Sequence, residues 1–252
     1  MTKIIIYGCG GKMGQVLEEI INEDRDCVVA AGVDINGQNR DYPTFTDIKD
    51  CTVDADVIID FSTAAAIPAL LDYVESRHIP VVLCTTGLSG ETLNRIKAVS
   101  ENTAVLKSAN MSIGVNLLLD LVKKAAETLY DSNFDIEIVE KHHNQKLDAP
   151  SGTAVAIADS INEALDSKMH YVYDRSSVRE KRTHDQIGIS SLRGGTIVGE
   201  HDVVFAGKDE VVTLSHMALS RDIFAVGAVK AAKFLKDKKS GMYTMKEVIA
   251  DK

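Results

Sequence analysis

Acids, bases and anion-binding side chains are concentrated in residues 137–154 of the chain. Two adjacent histidines, His142 and His143, are followed closely by Lys146. Imidazole groups exchange protons near neutral pH, and a lysine ammonium attracts anions and can donate a proton. This combination predicts proton transfer to an anionic substrate.

A predicted helix start follows the histidines and the lysine. Ser151 is a good N-cap, because its hydroxyl can accept a hydrogen bond from a backbone N–H of the first turn. The first-turn amides of Gly152 and Thr153, together with the Thr153 hydroxyl, can bind a carboxylate. Combined with the cationic groups that precede it, this helix start predicts a dicarboxylate substrate.

The two histidines are not expected to bind one ligand together. Side chains along a strand alternate between its two faces, so Ile138, Glu140 and His142 should face away from Val139 and Lys141. The next residue after His142, also a histidine, should then point to the other face. The alternation therefore argues against a two-histidine metal clamp.

A second chemical motif is a glycine-rich loop between a predicted strand and a predicted helix. The loop consists of Gly8, Cys9, Gly10, Gly11, Lys12, Met13 and Gly14. Such a loop lets the backbone approach a pyrophosphate at a helix N-terminus. Its last glycine comes one residue later than in the strict G-x-G-x-x-G pattern. The strand, loop and helix context still favours a dinucleotide site over a plain glycine turn.

Asp34 ends the second predicted strand, about 20 residues after the glycine loop, where a carboxylate can bind the adenosine ribose hydroxyls. The alternative is a solvated turn aspartate. A 2′-phosphate usually needs a nearby arginine, whereas the next residue here is Ile35, so local charge favours NADH. Lys12 and Arg40 could still reach a phosphate, and the choice between NADH and NADPH stays open at this point.

Two further polar segments follow predicted strands at their carboxyl ends, where ligands collect in open α/β sheets. They are Cys84, Thr85, Thr86 and Gly87 in the first segment, and Ser108, Ala109, Asn110 and Met111 in the second. Thr, Gly and Asn are also common in ordinary turns. The shared location favours a role in binding the nicotinamide ribose.

The elements that must position these residues follow two patterns. Up to about residue 110, short apolar runs alternate with helical patterns, which is typical of a Rossmann-like, doubly wound parallel sheet in an α/β protein. The predicted strands are 3–7, 27–33, 57–60, 81–84 and 104–106. The predicted helices are 12–22, 64–77 and 90–100, followed by a long amphipathic helix at 115–129.

Beyond that helix, the strands 134–142, 187–192, 197–206 and 210–216 are predicted without regular intervening helices. This pattern predicts a second α+β domain built on an open mixed sheet. A helix at 223–235 and a short segment at 245–249 return to the first domain. We expect a dinucleotide-binding domain of residues 1–112 plus 222–252, and a second domain of residues 113–221.

Composition limits the possible partners. The 252-residue chain is 45% hydrophobic and 26% charged, with a formal net charge of −9. It can bury a full core, and its charge argues against nucleic acid or an acidic membrane surface as a partner. No apolar run approaches the roughly 18 residues of a membrane span, so we expect a cytoplasmic protein that binds a small molecule.

The cysteines predict neither disulfides nor a metal site. They are Cys9, Cys27, Cys51 and Cys84. The sequence has no C-x-x-C pair and no histidine nearby at metal-ligand spacing. We expect four reduced, buried thiols.

On these motifs, the sequence resembles the 4-hydroxy-tetrahydrodipicolinate reductase family, also called dihydrodipicolinate reductases, of the diaminopimelate route to lysine. The resemblance covers essentially the whole chain, and its most specific part is residues 137–154, which match the family signature without a gap. The other matching segments are 8–14, 85–87, 108–114, 193–195, 197–201 and the tail from residue 220.

The resemblance implies hydride transfer from NADH or NADPH, with loss of water at the substrate's 4-position, giving tetrahydrodipicolinate. It implies that His142 and Lys146 donate protons and that His143, Gly152 and Thr153 hold substrate. The cofactor-binding residues that it implies are Gly8, Cys9, Gly10, Gly11, Lys12, Met13, Asp34, Cys84, Thr85, Thr86, Ser108, Ala109, Asn110 and Met111. It also implies a homotetramer in which residues 113–221 bind substrate and join subunits.

Two positions depart from the family pattern. Ile35 lies where some relatives carry arginine, and Cys84 lies where glycine is usual. These departures bear on cofactor preference and on the shape of the nicotinamide pocket, and neither one touches the proton-donating residues.

Two other functions are weighed against a reductase. A semialdehyde dehydrogenase would need a cysteine nucleophile in its catalytic half, and no cysteine follows Cys84. An NAD(P)-binding redox-sensing module without turnover would not need His142, His143 and Lys146 grouped beside an anion site. The reductase remains the favoured hypothesis.

Overall fold

The computed structural model describes residues 1–108 and 110–251. The chain divides into two compact units, which we call unit 1 (Met1–Ile113 with Asp222–Lys252) and unit 2 (Gly114–Arg221). In the described part of the chain, no helix has the length and apolar character needed to cross a membrane.

Unit 1 contains a seven-stranded sheet. In chain order, its strands are β1 (Thr2–Tyr7), β2 (Cys27–Val33), β3 (Thr44–Phe45), β4 (Val57–Asp60), β5 (Val81–Leu83), β6 (Ala104–Lys107) and β12 (Gly241–Tyr243). They are arranged as β12-β6-β5-β4-β1-β2-β3, and every neighbouring pair is parallel. The carboxyl ends of all seven strands therefore lie along one edge.

Helices cover both faces of this sheet. They are α1 (Lys12–Glu23), α2 (Ile67–Arg77), α3 (Gly90–Ser100), α6 (Asp222–Leu235) and α7 (Met245–Ala250). One core cluster includes α1, α6 and α7 side chains, and a second includes α2 and α3 side chains. Because both faces are covered, Ile4, Ile5 and Ile6 of β1 are all fully buried, which explains a continuous apolar run in place of alternation.

Unit 2 is a five-stranded mixed sheet with two helices. Its elements are α4 (Ile113–Leu129, which starts at the last residue of the first segment of unit 1), β7 (Asp135–His142), α5 (Gly152–Ala164), β8 (His170–Val172), β9 (Gln186–Arg193), β10 (Gly199–Ala206) and β11 (Val211–Ala218). The strand order is β11-β10-β7-β9-β8. β10 is antiparallel to both neighbours, whereas β7, β9 and β8 run parallel.

One face of this sheet forms the core of unit 2. Side chains from α4 and α5 pack on Ile136, Ile138, Val203 and Phe205 in a single apolar cluster. Along β7, buried residues alternate with half-buried ones, and Glu140 lies on the buried face. The predicted alternation of this strand is confirmed.

The predicted fold class is confirmed, with local differences. The strands β3, β8 and β12 were not predicted, because two or three residues are too few to show an alternating pattern. The helix predicted at 64–77 is a 3₁₀ turn, Ala64–Ala66, followed by α2. Pro68 fits in the first turn of α2, where a missing N–H costs no helical hydrogen bond.

Candidate active site

A cavity of about 380 Å³ opens at the carboxyl ends of β1, β2 and β4 in unit 1. Gly8 and Gly11 of the glycine loop line it, together with Asp34. Phe61 and Ser62, which follow β4, complete this side of the wall. The cavity lies where open parallel sheets collect ligands.

At three glycines of the loop, Gly8, Gly10 and Gly14, an added Cβ would lie closer than 3.0 Å to another part of the chain. A Cβ at Gly14 would lie 2.3 Å from the Gly8 carbonyl oxygen, and one at Gly10 would lie 2.8 Å from the Asp34 carboxylate. Gly8 itself has φ +90°, a conformation that L-residues rarely adopt. Helix α1 begins at Lys12, inside this loop, and its N-cap Gly11 makes no side-chain cap hydrogen bond. The backbone N–H groups of its first turn are therefore suited to bind an anion such as a pyrophosphate.

Asp34 is held against the glycine loop. Its Oδ2 accepts a hydrogen bond from the Gly10 N–H at 3.0 Å, and its Oδ1 accepts one from the Asn36 N–H at 3.0 Å. Ile35 beside it is 84% exposed. Arg40 is engaged elsewhere, because its Nη1 lies 3.4 Å from Glu18 Oε2. Among the described residues, the lining of the cavity contains two carboxylates, Asp34 and Asp47, and no lysine or arginine.

Some predicted cofactor residues can contribute only through their backbone. Cys9 is fully buried, and its Sγ packs against Gly32. Met111 is buried in the core, and Met13 packs against the same cluster. Lys12, at the first position of α1, is exposed.

The predicted polar segment 84–87 follows β5, and the predicted polar segment 108–111 follows β6, on the same sheet edge as the glycine loop. Thr85 is buried, Thr86 is exposed and Cys84 is half-buried. In segment 108–111, Asn110 Oδ1 accepts a hydrogen bond from the Ser112 N–H at 2.8 Å. Ser108 is half-buried, and Ala109 lies outside the described residues.

Sequence reasoning missed the segment after β4. Asp60 is fully buried, and its carboxylate accepts hydrogen bonds from the Ser62 N–H at 2.9 Å and from the Thr85 N–H at 3.3 Å. Burial raises the pKa of Asp60 despite these hydrogen bonds. The carboxylate thus joins the two loops that follow β4 and β5. Its only sequence signal was its position at the end of a buried strand.

In unit 2, Glu140 of β7 is the centre of a hydrogen-bonded cluster. Its side chain is fully buried, and Arg193 of β9 binds it through two nitrogens, at 2.8 Å to Oε2 and 2.6 Å to Oε1. The Ser151 N–H donates to Oε1 at 3.1 Å. Burial alone would raise the pKa of Glu140, but hydrogen bonds from Arg193, Ser191 and His142 outweigh it and lower the pKa to about 2.

His142 contacts the same carboxylate, since its Nδ1 lies 2.5 Å from Glu140 Oε2. Its Nε2 faces Gly199, where a Cβ would lie only 3.1 Å away. Burial lowers the pKa of His142, and the Lys146 and Arg193 cations act in the same direction, while Glu140 opposes them. The imidazole therefore has one nitrogen committed to a carboxylate and the other directed away from it.

Ser151 links this cluster to the start of α5. As the N-cap, its Oγ accepts a hydrogen bond from the Ala154 N–H at 3.1 Å, and the same oxygen lies 3.1 Å from His201 Nε2. His201 is buried and meets the His142 ring edge to face, with 5.3 Å between ring centroids. Burial is the main cause that lowers the pKa of His201 to about 4, so its ring is neutral at pH 7.

Lys146 and His143 lie on the loop between β7 and α5. Lys146 Nζ pairs with Asp148 Oδ1 at 2.9 Å, and the lysine side chain is 21% exposed. His143 Nε2 lies 3.3 Å from an Arg221 nitrogen. The predicted anion-binding residues Gly152 and Thr153 are the first two residues of α5, which follows this loop.

The structure therefore places the predicted donors and substrate residues on one strand end, one loop and one helix start within unit 2. It adds Glu140, Arg193 and His201, which sequence reasoning did not assign to the site. Their link to His142 depends on cross-strand register, in which Glu140 stands opposite His201 on β10 and Ser191 on β9. Within residues 1–108 and 110–251, no cluster of three or more His, Cys, Asp or Glu side chains is arranged to hold a metal ion.

Two family models match nearly the whole chain. The model described as "Dihydrodipicolinate reductase, N-terminus" matches residues 2–111, and that described as "Dihydrodipicolinate reductase, C-terminus" matches residues 114–249. A 4-hydroxy-tetrahydrodipicolinate reductase from Caldanaerobacter subterraneus subsp. tengcongensis is 52% identical over 99% of this chain and 98% of its own length. One from Clostridium tetani is 47% identical over 97% of this chain and 96% of its own length.

Solved structures share the fold. A dipicolinate-bound dihydrodipicolinate reductase from Paenisporosarcina sp. TG-14 has a TM-score of 0.80 at 24% identity, over 97% of both chains. A myo-inositol dehydrogenase from Corynebacterium glutamicum has a TM-score of 0.56 at 12% identity, over 99% of this chain and 93% of its own. At these identities, the likeness establishes the architecture alone.

Proposed function

Because this chain belongs to the dihydrodipicolinate reductase family, we propose that His142 and Lys146 donate the protons of its reaction. The reaction is the NAD(P)H-dependent reduction of 4-hydroxy-tetrahydrodipicolinate to tetrahydrodipicolinate, a step of the diaminopimelate route to lysine. The observation that carries the proposed roles is the cluster in unit 2, where an imidazole and an ammonium stand beside a helix N-terminus.

The substrate is a small dicarboxylate, and we propose that His143, Gly152 and Thr153 hold it. The first turn of α5 offers partial positive charge to one carboxylate, and Ser151 fixes that turn by capping it. Lys146 offers a full positive charge to an anionic group of the substrate. To bind that group, it would give up its ion pair with the partly exposed Asp148. The Paenisporosarcina reductase binds dipicolinate, a planar dicarboxylate of the same class.

Proton delivery is the task of the side chains. Hydride addition to the conjugated substrate leaves an enamine, which a neighbouring acid must protonate. The pKa of His142 is lowered in the free protein, chiefly by burial, so its proton must be stabilised when substrate binds. Two substrate carboxylates beside the imidazole would raise that pKa and favour the charged ring. Lys146 can support this step as a second donor and as an electrostatic anchor.

The cofactor is a nicotinamide dinucleotide, which supplies the hydride when bound. The residues of unit 1 fit its diphosphate and adenosine ribose, because Gly8 and Gly14 allow close approach of neighbouring backbone in the loop and Asp34 borders the cavity. The residues that we propose for binding it are Gly8, Cys9, Gly10, Gly11, Lys12, Met13, Asp34, Cys84, Thr85, Thr86, Ser108, Ala109, Asn110 and Met111. The segment Phe61–Ser62 joins them on the evidence of the cavity wall.

We further propose that NADH is preferred over NADPH. A 2′-phosphate at this ribose would meet the carboxylates of Asp34 and Asp47, which line the cavity. Ile35 offers it no hydrogen bond, and Arg40 is paired with Glu18. The test is the ratio of kcat/KM for the two cofactors in the unmodified protein, and a ratio that favours NADPH would contradict the proposal.

The assembly that we propose is a cytoplasmic homotetramer whose unit 2 sheets meet. The face of this sheet opposite α4 and α5 carries exposed apolar side chains, Leu192, Val211 and Met217. With a net charge of −9, the protein should have no affinity for nucleic acid. Native mass spectrometry tests the assembly, and a mass equal to one chain of 27.3 kDa would contradict it.

The experiment for the proposed roles compares the protein with its His142→Gln variant. Purified protein mixed with NADH and the product of the preceding synthase should consume NADH, whereas a redox-sensing module would bind NADH without turnover. The variant should bind NADH normally and lose roughly 10²- to 10⁴-fold in kcat, the range for a general acid. Wild-type turnover in the variant would remove His142 from the mechanism.

A further inference from the structure

Glu140 is the only fully buried carboxylate of unit 2 among the described residues, and it is not one of the proton donors proposed above. Three separate segments converge on it: Arg193 from β9, the Ser151 N–H from the start of α5, and His142 from its own strand. A charge buried at this depth is costly unless its partners are well placed. The cost suggests a role beyond packing.

The first consequence of this arrangement concerns the imidazole. With its pKa lowered to about 2, Glu140 is ionised at neutral pH and can only accept hydrogen bonds. The contact of 2.5 Å therefore requires a proton on His142 Nδ1. In the neutral ring, Nε2 is then the unprotonated nitrogen, so any proton that His142 transfers to substrate must occupy Nε2.

The second consequence concerns the helix start. Oε1 of the same carboxylate accepts from the Ser151 N–H, and Ser151 caps α5. Arg193, which binds both carboxylate oxygens, also donates to the Asp148 carbonyl at 2.7 Å. One carboxylate and one guanidinium thus connect the imidazole, the helix N-terminus and the loop between them.

We propose that Glu140 is a positioning residue for the reaction: clamped by Arg193, it fixes the tautomer of His142 and holds the start of α5 in register with that ring. The proposal rests on the proposed function, because it takes His142 as a proton donor and the start of α5 as the carboxylate site. It adds to that function the residue that aligns the two.

A second ion pair on the same strand provides a matched comparison. Glu137 of β7 lies on the opposite face, half-exposed, and its Oε1 pairs with Arg175 at 2.9 Å and with Arg182 at 3.3 Å. The two pairs share residue types and strand, but Glu137 has no contact with His142 or Ser151 in the described contacts. The Glu137→Gln variant therefore serves as a control for the loss of a Glu–Arg pair, provided that native mass spectrometry gives it the wild-type assembly.

The direct test is the protonation state of His142 in the unmodified protein. Nitrogen-15 NMR at a pH well above 6.5 distinguishes the two neutral tautomers, and the His142→Gln variant identifies the His142 signals. We expect the Nδ1–H form. An Nε2–H form would overturn the proposal, without bearing on whether His142 takes part in turnover.

The second test is the Glu140→Gln variant. We expect the Nδ1–H preference to be lost, kcat to fall by roughly 10²- to 10⁴-fold, and NADH affinity to remain that of the wild type. Glu137→Gln should keep the tautomer and the turnover of the wild type. A Glu140→Gln variant with the wild-type tautomer and kcat would overturn the proposal.

The pH profile separates positioning from folding. The charged or titratable groups that face the His142 ring are Glu140, Lys146, Arg193 and His201. Only the carboxylate favours the charged imidazole, so its loss should move the alkaline limb of kcat/KM to lower pH. If the alkaline limb of the Glu140→Gln variant stays at the wild-type pH while kcat falls, Glu140 contributes to folding stability and does not position His142. His142→Gln, measured in parallel, decides the proposed function separately.

Discussion

The cavity of unit 1 is shaped by backbone, whereas the cluster of unit 2 is shaped by buried charge. Around the cavity, glycines bring the chain close to itself, and Asp34 accepts hydrogen bonds from two backbone N–H groups. In unit 2, a carboxylate, a guanidinium and two imidazoles contact one another at one end of a sheet. The shape of the unit 1 cavity depends on the absence of side chains at its glycines, whereas the unit 2 cluster depends on the protonation states of its side chains.

This difference has chemical consequences. A dinucleotide site must recognise a diphosphate and a ribose, and backbone N–H groups at a helix start do so without changing charge. A proton-transfer site must hold groups whose pKa values are shifted by their surroundings. We therefore expect mutations in the glycine loop of unit 1 to act through geometry and mutations in the unit 2 cluster to act through charge.

The largest effect is expected for Lys146→Ala, which removes charge from the unit 2 cluster. Turnover should fall roughly 10²- to 10⁴-fold, while NADH affinity measured by fluorescence titration stays unchanged. Lys123→Ala, which removes a lysine paired with Glu163 in the same unit, should leave both quantities unchanged. Equal losses of turnover and NADH affinity in the Lys146 variant would contradict the assignment of Lys146 to the substrate and of NADH binding to unit 1.

Gly14→Ala should have the next largest effect, through geometry alone. The new Cβ would lie 2.3 Å from the Gly8 carbonyl oxygen, so the loop must move. We expect a loss of about 1–3 kcal/mol in the stability of unit 1 and weaker NADH binding, with the KM for the dicarboxylate substrate retained. Gly90→Ala, where no atom lies within 4 Å of the new Cβ, is the control for calorimetry.

Acid should weaken unit 2 in two stages. His201 has its pKa lowered from 6.5 to about 4, so the unfolded chain takes up the proton first and stability falls as pH drops from 6.5 towards 4. Glu140, with a pKa lowered from 4.5 to about 2, adds a loss between those values. From pH 7 to 5, the His201 part is about 1–2 kcal/mol.

The His201→Gln variant tests the first stage. Its urea midpoint should change less between pH 7 and pH 5 than that of the wild type, because the histidine that resists protonation is gone. An identical shift in both proteins would show that another group is responsible.

Ile35→Arg should have the smallest effect. The side chain at this position is 84% exposed, so a new arginine would contribute about 1 kcal/mol to binding of a 2′-phosphate. The ratio of kcat/KM for NADPH to that for NADH should rise about fivefold, and Ile35→Gln should leave it near the wild-type ratio. An unchanged ratio in the arginine variant would place cofactor selection elsewhere on the cavity wall.

Much of unit 1 could be predicted from sequence because its signals are local. β2, β4 and α3 have the predicted bounds, since each is a continuous apolar run or a helical pattern between turn residues. The role of Asp60 in joining two loops was missed, because a carboxylate at the end of a strand gives no local sign of which loops it will contact. The residues proposed to bind cofactor and substrate remain predictions, supported by their positions on one sheet edge and around one helix start.

By itself, the sequence determined the two element patterns, the glycine loop and the signature around His142, because each depends on residues that are neighbours in the chain. Only the tertiary structure decided that Arg193 and His201 join the cluster around His142 and Ser151. They come from strands far along the chain, and cross-strand register brings them to Glu140 and Ser151. Burial then sets the pKa values of these groups, and burial is a property of the packed molecule that no local pattern encodes.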